Sequence, residues 1–375
     1  MKNLECRMQK AKLMNAKCIA PLAAALLLSV FSLQPSALLA QGSLTPPGPP
    51  GPTMKTLDQI EPRMAITNSG ATAITSPGSY YLTRNITVSS GDGVTIATNN
   101  VTLDLNGFTI ASTASPAVGS GILLSGGRAN IAIHSGFVAG SVTNNGSVYS
   151  GNGFAYGIYY SGGNPSNVRL SHVTVSGCQN DGINVYLNSS IVEACNVNTI
   201  GGTGIFAQSI RDSTVLNCGN TAILGSTVCN CANFSAVNVG INCTEANNCY
   251  CYSSNSYGLY ATTASNCRGY SVNGTGINAG VANNCFGFST TNYGVWAFAA
   301  NNCVGSSSSG TGLYAMQIAS GCNGSSSTGV GLSANIANSC YGQSTSSTGL
   351  CANIAVSCVG VGSPTLSVTN KYNMP

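Results

Sequence analysis

The sequence predicts an all-β chain that coils into a parallel β-solenoid, and three observations carry that prediction. Cysteine recurs every 18 or 19 residues through the C-terminal half. Apolar and small residues alternate with polar ones around each cysteine, and a period of two is the pattern of a strand. Only 6% of the residues are charged, against about 25% in ordinary domains, so a repeated core organises the chain.

Residues 1–40 have the pattern of a secretory signal. Basic residues are concentrated before Ile19, an apolar run extends to Phe31, and small residues surround Ala37 and Ala40. This order predicts export with cleavage after Ala40, to a secreted, periplasmic or cell-surface location. An uncleaved signal anchor is the alternative, although the run is shorter than the roughly 20 residues of a membrane span.

Residues 41–63 are predicted to form a Pro/Gly linker and a short capping helix. The proline-rich residues 44–52 favour an extended chain. Met54, Leu57 and Ile60 then define one face of a helix over residues 54–60. An open solenoid end exposes an unpaired strand edge and apolar core, so we expect this helix to cover the first coil. Residues 363–375 leave the repeat, and we expect this C-terminal tail to cap the other end.

Without the signal, the chain contains eight basic and eight acidic residues, so its net charge is zero. Binding to nucleic acid or to an anionic membrane surface requires a basic patch, which this composition does not supply. Membrane contact is therefore expected only through an uncleaved signal.

Residues 176–362 are predicted to form regular, cysteine-marked coils. Glycine follows the cysteines from Cys267 to Cys358 by two positions, and serine follows those from Cys249 to Cys340 by four. In most coils a glycine–aliphatic pair follows the cysteine by nine and alanine by twelve. One coil cannot bury its inner face alone, so coils stack about 4.8 Å apart, and the small inner residues predict a slim core. The cysteines in this register are Cys195, Cys231, Cys249, Cys267, Cys285, Cys303, Cys322, Cys340 and Cys358.

The spacing also distinguishes between two kinds of solenoid. A left-handed hexapeptide helix needs an aliphatic residue every six positions, but polar residues such as Asn255 and Asn273 stand six after the cysteines. We therefore predict a right-handed parallel β-helix with coils of about 18 residues. Residues 64–175 show the same alternation in longer and less regular coils, as in residues 101–110 and 168–178.

The N-terminal coils also carry a resemblance to a known family. Residues 76–82 (Ser-Pro-Gly-Ser-Tyr-Tyr-Leu), followed by the block Leu-Asp-Leu-Asn-Gly-Phe at 103–108, resemble the first coils of bacterial right-handed parallel β-helix repeat proteins of the pectate-lyase-like superfamily. The resemblance covers roughly residues 54–362. It implies the fold and leaves activity open, because that fold hosts lyases, hydrolases, epimerases, adhesins and proteins without catalysis.

Catalysis in that superfamily depends on charged clusters, and this resemblance implies where to look for one. Its lyases use an acidic calcium site with a Lys or Arg base, and its hydrolases use clustered aspartates. Residues 250–362 contain one charged residue, Arg268, and no carboxylate, so no such cluster is expected there. The catalytic candidates lie upstream: Asp104, Arg169, Asp181, Glu193, Arg211 and Asp212.

Three of these candidates also have a structural interpretation. Asp104 follows a turn-forming pattern, and Glu193 and Arg211, which are 18 residues apart, are predicted to form an ion pair between adjacent coils. His134 and His172 lack a metal-ligand motif and are predicted to be ordinary strand residues.

The cysteines leave two questions open. Export favours disulfides, whereas stacked side chains pointing in one direction favour buried thiols, and we predict mostly thiols with some bridges. Cys229 and Cys231, and Cys249 and Cys251, lie on adjacent coils, but their spacing matches no zinc module. No metal or cofactor is therefore expected.

Two outward columns suggest a binding surface. Asparagine precedes several cysteines, which predicts an amide ladder along a corner or an array that binds sugar or ice. Tyr257 and Tyr293 are candidate ligand-binding residues. The preferred hypothesis is a secreted or cell-surface β-helix that is structural, adhesive or glycan-binding without catalysis. The alternative is a polysaccharide lyase or glycoside hydrolase with its site on the N-terminal coils.

Overall fold

A computed structural model describes residues 61–146 and 148–374, and nearly all of their strands belong to one continuous parallel stack. The described part contains no helix, and so no helix of the length and apolarity that a membrane span needs. The predicted signal and the predicted capping helix at 54–60 lie outside these residues. The predicted all-β parallel β-helix is confirmed, with about 17 coils between residues 64 and 372.

Each coil visits three columns of strands, which we call faces A, B and C in chain order. In the N-terminal part the faces are mostly separate short strands. The strands are β1 (Met64–Ile66), β2 (Thr72–Ile74), β3 (Gly78–Leu82), β4 (Ile86–Val88), β5 (Val94–Ile96), β6 (Val101–Asp104), β7 (Thr109–Ser112), β8 (Ser120–Ser125), β9 (Ala129–Ala139), β10 (Ser141–Asn144), β11 (Tyr149–Asn152), β12 (Tyr156–Ser161) and β13 (Ser166–Cys178).

In the C-terminal part, one longer strand usually carries faces A and B, and a short strand carries face C. The strands are β14 (Ile183–Glu193), β15 (Asn196–Ile200), β16 (Ile205–Arg211), β17 (Thr214–Cys218), β18 (Ile223–Leu224), β19 (Thr227–Cys229), β20 (Ala232–Asn233), β21 (Ile241–Asn247), β22 (Tyr250–Ser253), β23 (Leu259–Ser265), β24 (Arg268–Ser271), β25 (Ile277–Asn283), β26 (Phe286–Ser289), β27 (Val295–Asn301), β28 (Val304–Ser307), β29 (Leu313–Ser320), β30 (Asn323–Ser326), β31 (Leu332–Asn338), β32 (Tyr341–Ser344), β33 (Leu350–Val356), β34 (Val359–Val361) and β35 (Leu366–Tyr372).

The register of the strands separates an irregular half from a regular one. On face B, Leu103 pairs with Ile133 and Ile133 with Leu170, so these two coils contain 30 and 37 residues. From Val192 onward, the partner on the next coil lies 18 residues away in nearly every coil, as in the pairing of Val192 with Ile210. The cysteine spacing therefore reports the true length of a coil.

The core changes in kind along the axis. In the N-terminal coils, large aliphatic side chains fill it, including Leu82, Ile96 and Leu103, all fully buried. In the C-terminal coils, the inner positions are one aliphatic residue and a set of small ones. At Gly287, for example, an added Cβ would lie 2.0 Å from the carbonyl oxygen of Gly294. The slim cross-section predicted from the sequence is therefore present where the repeat is regular.

Left-handed residues turn the chain from face B to face C. The residue before each ladder cysteine occupies this conformation, and in five coils it is asparagine, with φ of 54° at Asn266 and 53° at Asn284. Asparagine tolerates the left-handed region better than most residues, which explains its recurrence. The amide ladder is present over part of the corner, where Asn248 Nδ2 donates to Asn230 Oδ1 at 3.2 Å.

The cysteine and serine side chains of the repeat form hydrogen bonds with backbone groups around the core. Each ladder thiol donates to the carbonyl two residues earlier, as Cys285 does to Asn283 at 3.2 Å. Ser289 Oγ donates to Gly274 O at 2.6 Å and accepts from Asn292 N at 2.8 Å, which fixes the following turn. The described cysteines form no disulfide, and all except Cys229 and Cys351 are buried.

Two features depart from the simple coil. β10 and β11 form an antiparallel hairpin that leaves the stack within its longest coil. At the C-terminal end, residues 366–372 add one more strand, β35, that pairs with β33. Cys358 N then donates to Met374 Sδ at 3.2 Å, so Met374 lies at the end of the cysteine ladder.

Candidate functional site

Aromatic side chains cover four successive coils of face C. They project outward from positions one and three after the ladder cysteines, because position two faces the core and holds Asn233, Cys251, Gly269 or Gly287, all buried. Ring centroids lie 5.4 Å apart between Phe234 and Tyr250, 5.7 Å between Tyr250 and Tyr270, and 5.8 Å between Tyr270 and Phe288. We call this set the aromatic surface. Its members are Phe234, Tyr250, Tyr252, Tyr270, Phe286 and Phe288.

One cation lies within the aromatic surface. Arg268 is exposed and pairs in register with Tyr250 on one side and Phe286 on the other. It is the single charged residue between residues 250 and 362. Beyond Phe288 the same column continues with Ser306, so the aromatic surface ends abruptly. Aromatic residues at these offsets from cysteine were the signal in the sequence that would have predicted it.

The predicted ligand residues Tyr257 and Tyr293 lie elsewhere, in the turn that leads into face A. Tyr257 is 5.4 Å from Tyr260, and Tyr293 is 5.5 Å from Tyr314, between ring centroids. Trp296 pairs in register with Tyr314. These residues form a second aromatic group on face A, and Tyr260 is its most exposed ring at 46%.

Asp181 lies at the start of face A, beside a cluster of tyrosines. Its Oδ1 accepts from Thr203 N at 2.9 Å and its Oδ2 accepts from Asn184 Nδ2 at 2.9 Å. Burial, with a smaller contribution from the Asp181 charge, raises the pKa of Tyr159 and Tyr160. Asp181 is thus separated from the other acidic candidates and holds a turn.

Charged and hydroxyl side chains share one outward column at the edge of face B. The residues pair in register from coil to coil: Tyr81 with Asp104, Asp104 with His134, His134 with Ser171, Ser171 with Glu193, and Glu193 with Arg211. We call this the face-B edge column. Arg169 lies two residues before Ser171 and projects from the same face, since the intervening Leu170 is buried.

Asp104 makes the most contacts in this column. Its Oδ1 accepts from Asn106 N at 2.8 Å, which is the turn role predicted from the sequence. Its Oδ2 lies 3.2 Å from Arg63 NH1, and its Oδ1 lies 3.4 Å from His134 Nδ1. His134, which the sequence interpretation treated as an ordinary strand residue, therefore faces a carboxylate that is already fixed by two donors.

The predicted pair of Glu193 and Arg211 is present. Arg211 NH2 donates to Glu193 Oε2 at 2.8 Å, and this hydrogen bond raises the pKa of the guanidinium. Asp212 follows in the left-handed corner and accepts from Asn230 Nδ2 at 3.0 Å. Four of the six catalytic candidates, Asp104, Arg169, Glu193 and Arg211, therefore lie on face B, with Asp212 at its corner.

Comparison with known proteins gives structural neighbours only. No protein-family model and no curated protein matches the sequence. Among solved structures, the chain is similar to the Dettilon tailspike protein, with 13% identity and a TM-score of 0.39, over 83% of this chain and 61% of that one. It is also similar to the A-module of a mannuronan C-5 epimerase from Azotobacter vinelandii, with 13% identity and a TM-score of 0.37, over 80% of this chain and 90% of that module.

Four buried thiols of the earlier coils are unsuited to reactivity at neutral pH. Burial raises the pKa of Cys178 and Cys231 to about 12, and of Cys195 and Cys218 to about 11. A thiolate is the nucleophile and the metal ligand, so protonated, buried thiols act as packing. Within residues 61–146 and 148–374, no group of three His, Cys, Asp or Glu residues has the arrangement of a metal site.

Proposed function

We propose that the protein is an exported β-helix whose regular coils bind glycan chains on the aromatic surface. The observation that carries this proposal is the run of neighbouring, partly exposed rings on face C, which extends over four coils in a region almost free of charge. Uncharged sugar rings have apolar C–H faces that stack on aromatic rings, and their hydroxyl groups bond to polar residues at the rim.

The dimensions of the aromatic surface suit an extended chain. Four coils span about 14 Å along the axis, because stacked strands repeat every ~4.8 Å. The rings are tilted to one another by 33° to 44°, so they form a ridged strip. Such a strip contacts a polymer along its length, whereas a small sugar gains little from it.

Rigid rings favour binding. Tyr250 and Tyr270 are half-buried between neighbouring rings, so little rotamer entropy remains to be lost when a ligand stacks on them. Arg268 adds a donor that pairs with carboxylate or hydroxyl groups of the glycan. Export, as the N-terminal sequence predicts, would place this surface where cell-surface or secreted polysaccharides are found.

A glycan array followed by titration tests the proposal. We expect binding to one or more polysaccharides, and Tyr270→Ala is expected to weaken it about tenfold or more, since aromatic contacts dominate such surfaces. Tyr341→Ala is the matched control: Tyr341 projects from the same face C column as Arg268 but has no ring neighbour among the described residues. The proposal is wrong if no glycan binds, or if both variants weaken binding equally.

A polysaccharide lyase or glycoside hydrolase on the N-terminal coils is the second candidate. Its support is that Asp104, Arg169, Glu193 and Arg211 share face B. However, Asp104 and Glu193 stand three coils apart, about 14 Å, whereas the paired carboxylates of glycosidases lie within about 9.5 Å. Both carboxylates are also engaged by arginine. Release of reducing or unsaturated ends by the wild-type protein, lost in Glu193→Gln, would favour this candidate over simple binding.

A further inference from the structure

The face-B edge column places an acid, an imidazole and a hydroxyl group on three consecutive coils. Asp104 pairs in register with His134, and His134 pairs in register with Ser171. Register partners on adjacent coils are about 4.8 Å apart at Cα, and all three side chains project outward. The sequence separations are 30 and 37 residues, so only the stacking brings the three residues together.

The order of the groups along the column is that of a nucleophile relay. His134 Nδ1 lies 3.4 Å from Asp104 Oδ1 and 3.1 Å from Ser135 Oγ, and the coil of His134 lies between those of Asp104 and Ser171. Asp104 is held by Asn106 N and by Arg63, so it can orient the imidazole without moving. A carboxylate on one ring nitrogen fixes the tautomer that leaves the other nitrogen free to accept a proton.

We propose that Ser171, His134 and Asp104 hydrolyse acyl esters. Ser171 Oγ attacks the ester carbonyl while His134 takes the hydroxyl proton, and the same imidazole then protonates the departing alcohol. This step forms an acyl-serine. Water, deprotonated by His134, attacks the acyl-serine, releases the carboxylic acid and returns the proton to Ser171. The balance is one ester and one water to one alcohol and one acid.

Arg169 supplies the remaining group that this reaction needs. It lies two residues before Ser171 on the same face, and its exposed guanidinium is free to approach the carbonyl oxygen on which negative charge develops. Beside it lies a shallow, open depression lined by Asn167, Ser190, Ile191 and Gln208. An open depression suits an acyl group carried on a large molecule. That the alcohol is a sugar hydroxyl rests on the proposed glycan-binding function.

Hydrolysis of p-nitrophenyl acetate by the purified protein tests the reaction without any glycan. Ser171→Ala is expected to reduce the rate to background, and His134→Ala to lower kcat at least about 100-fold, the usual contribution of a general base. Ser265→Ala is the matched control, because Ser265 occupies the same column three coils from Arg211 without a histidine register partner. It is expected to retain the full rate.

A covalent label gives a second readout that does not depend on turnover. A fluorophosphonate probe is expected to modify Ser171, as located by peptide mass spectrometry, and to modify the His134→Ala variant much more slowly. Ser135 Oγ lies 3.1 Å from His134 Nδ1, and His172 follows Ser171 in the chain, so Ser135→Ala and His172→Ala are informative variants. Both are expected to remain active and labelled.

The outcomes distinguish this proposal from the glycan-binding one. Absence of both hydrolysis and labelling in the folded wild-type protein overturns the ester hydrolase and leaves glycan binding unaffected. Labelling at Ser135, or loss of activity in His172→Ala with Ser171→Ala still active, also overturns it. Conversely, an active esterase that binds no glycan leaves the Ser171 assignment intact and removes only its link to sugar esters.

Discussion

The N-terminal coils, residues 64–177, and the regular coils that follow differ in the size of their core residues and in the number of residues per coil. The first group buries large aliphatic residues and varies from 16 to 37 residues per coil, as the pairings of Met64 with Tyr80 and of Ile133 with Leu170 show. The second group buries small residues at a nearly constant 18. A wide core tolerates corner loops of different lengths, whereas a slim core requires nearly the same number of residues in every coil.

The difference extends to the surfaces. The face-B edge column of charged and hydroxyl residues lies on the first group and its immediate successors, whereas the aromatic surface lies on the second. A repeat with identical neighbours presents the same side chain again and again, which favours stacking surfaces. Irregular coils bring unlike residues together, which chemistry requires.

Alkaline pH is expected to produce the largest contrast between the two groups. Cysteines in the described chain begin at Cys178, and burial raises the pKa of Cys195 and Cys218 to about 11. Unfolded thiols ionise near pH 8.5, so the folded state holds protons that the unfolded state releases. The stability that these two thiols contribute is therefore complete below about pH 8.5 and is lost as the pH rises towards 11. Each such thiol contributes up to roughly 3 kcal/mol.

Trp296, the only tryptophan, lies in the regular coils and makes this contrast measurable. We expect its fluorescence transition to move to lower temperature between pH 8 and pH 11 by more than the far-UV circular dichroism transition, which reports on both groups. Identical transitions that do not move with pH would contradict the comparison.

Truncation of a large core residue should cost most among single substitutions. Leu103 is fully buried in the N-terminal core, so Leu103→Ala is expected to lower the free energy of unfolding by about 2–5 kcal/mol. Ala300→Gly, at an equally buried position of the regular core, should cost only about 1 kcal/mol. Urea denaturation measures both, and a larger loss from Ala300→Gly would reverse the proposed contrast.

Addition of a methyl group tests whether the slim core can accommodate a larger side chain. Gly287→Ala is expected to destabilise the protein by about 1–3 kcal/mol, because the new Cβ meets the backbone oxygen of Gly294 at 2.0 Å. Gly70→Ala is the control, since the nearest atom, Asn68 Oδ1, lies 3.9 Å away. Equal denaturation midpoints for the two variants would show that the regular coils can widen.

The left-handed corner should give the smallest effect. Asn284→Ala is expected to cost about 1 kcal/mol, because alanine is disfavoured at a φ of 53°. Asn284→Gly should be nearly neutral, as Gly321 already occupies the equivalent corner of its coil. A thermal melt that ranks glycine below alanine would indicate that the asparagine side chain, and not its backbone, stabilises the corner.

Contacts between coils could be predicted from the sequence where the coils have equal length, and could not where their lengths differ. Glu193 and Arg211 stand one repeat apart, so their ion pair followed directly from the spacing. Asp104, His134 and Ser171 stand on coils of unequal length, and no period aligns them, so His134 was assigned to an ordinary strand position. The aromatic surface was not predicted for another reason: the hypothesis of a binding face rested on the turn tyrosines Tyr257 and Tyr293, which lie on another side of the coil.

Some regular features were also missed. A second alanine column, three residues before the cysteines, lines the core at Ala264, Ala282 and Ala300. Its period equals that of the cysteines, so it was visible in the sequence. The left-handed corner was not predicted either, because asparagine in that position has the same spacing whether it serves the backbone or an amide ladder.

The β10–β11 hairpin shows where this molecule accepts new sequence. It interrupts one coil, yet the strands on either side remain in register. Tyr149 Oη donates to Asn217 Oδ1 at 2.7 Å and so fastens the hairpin to the outside of a later coil. The same corner is therefore a natural graft point, at which an epitope, a reporter or a whole small domain can be displayed without a change in the stack beneath it.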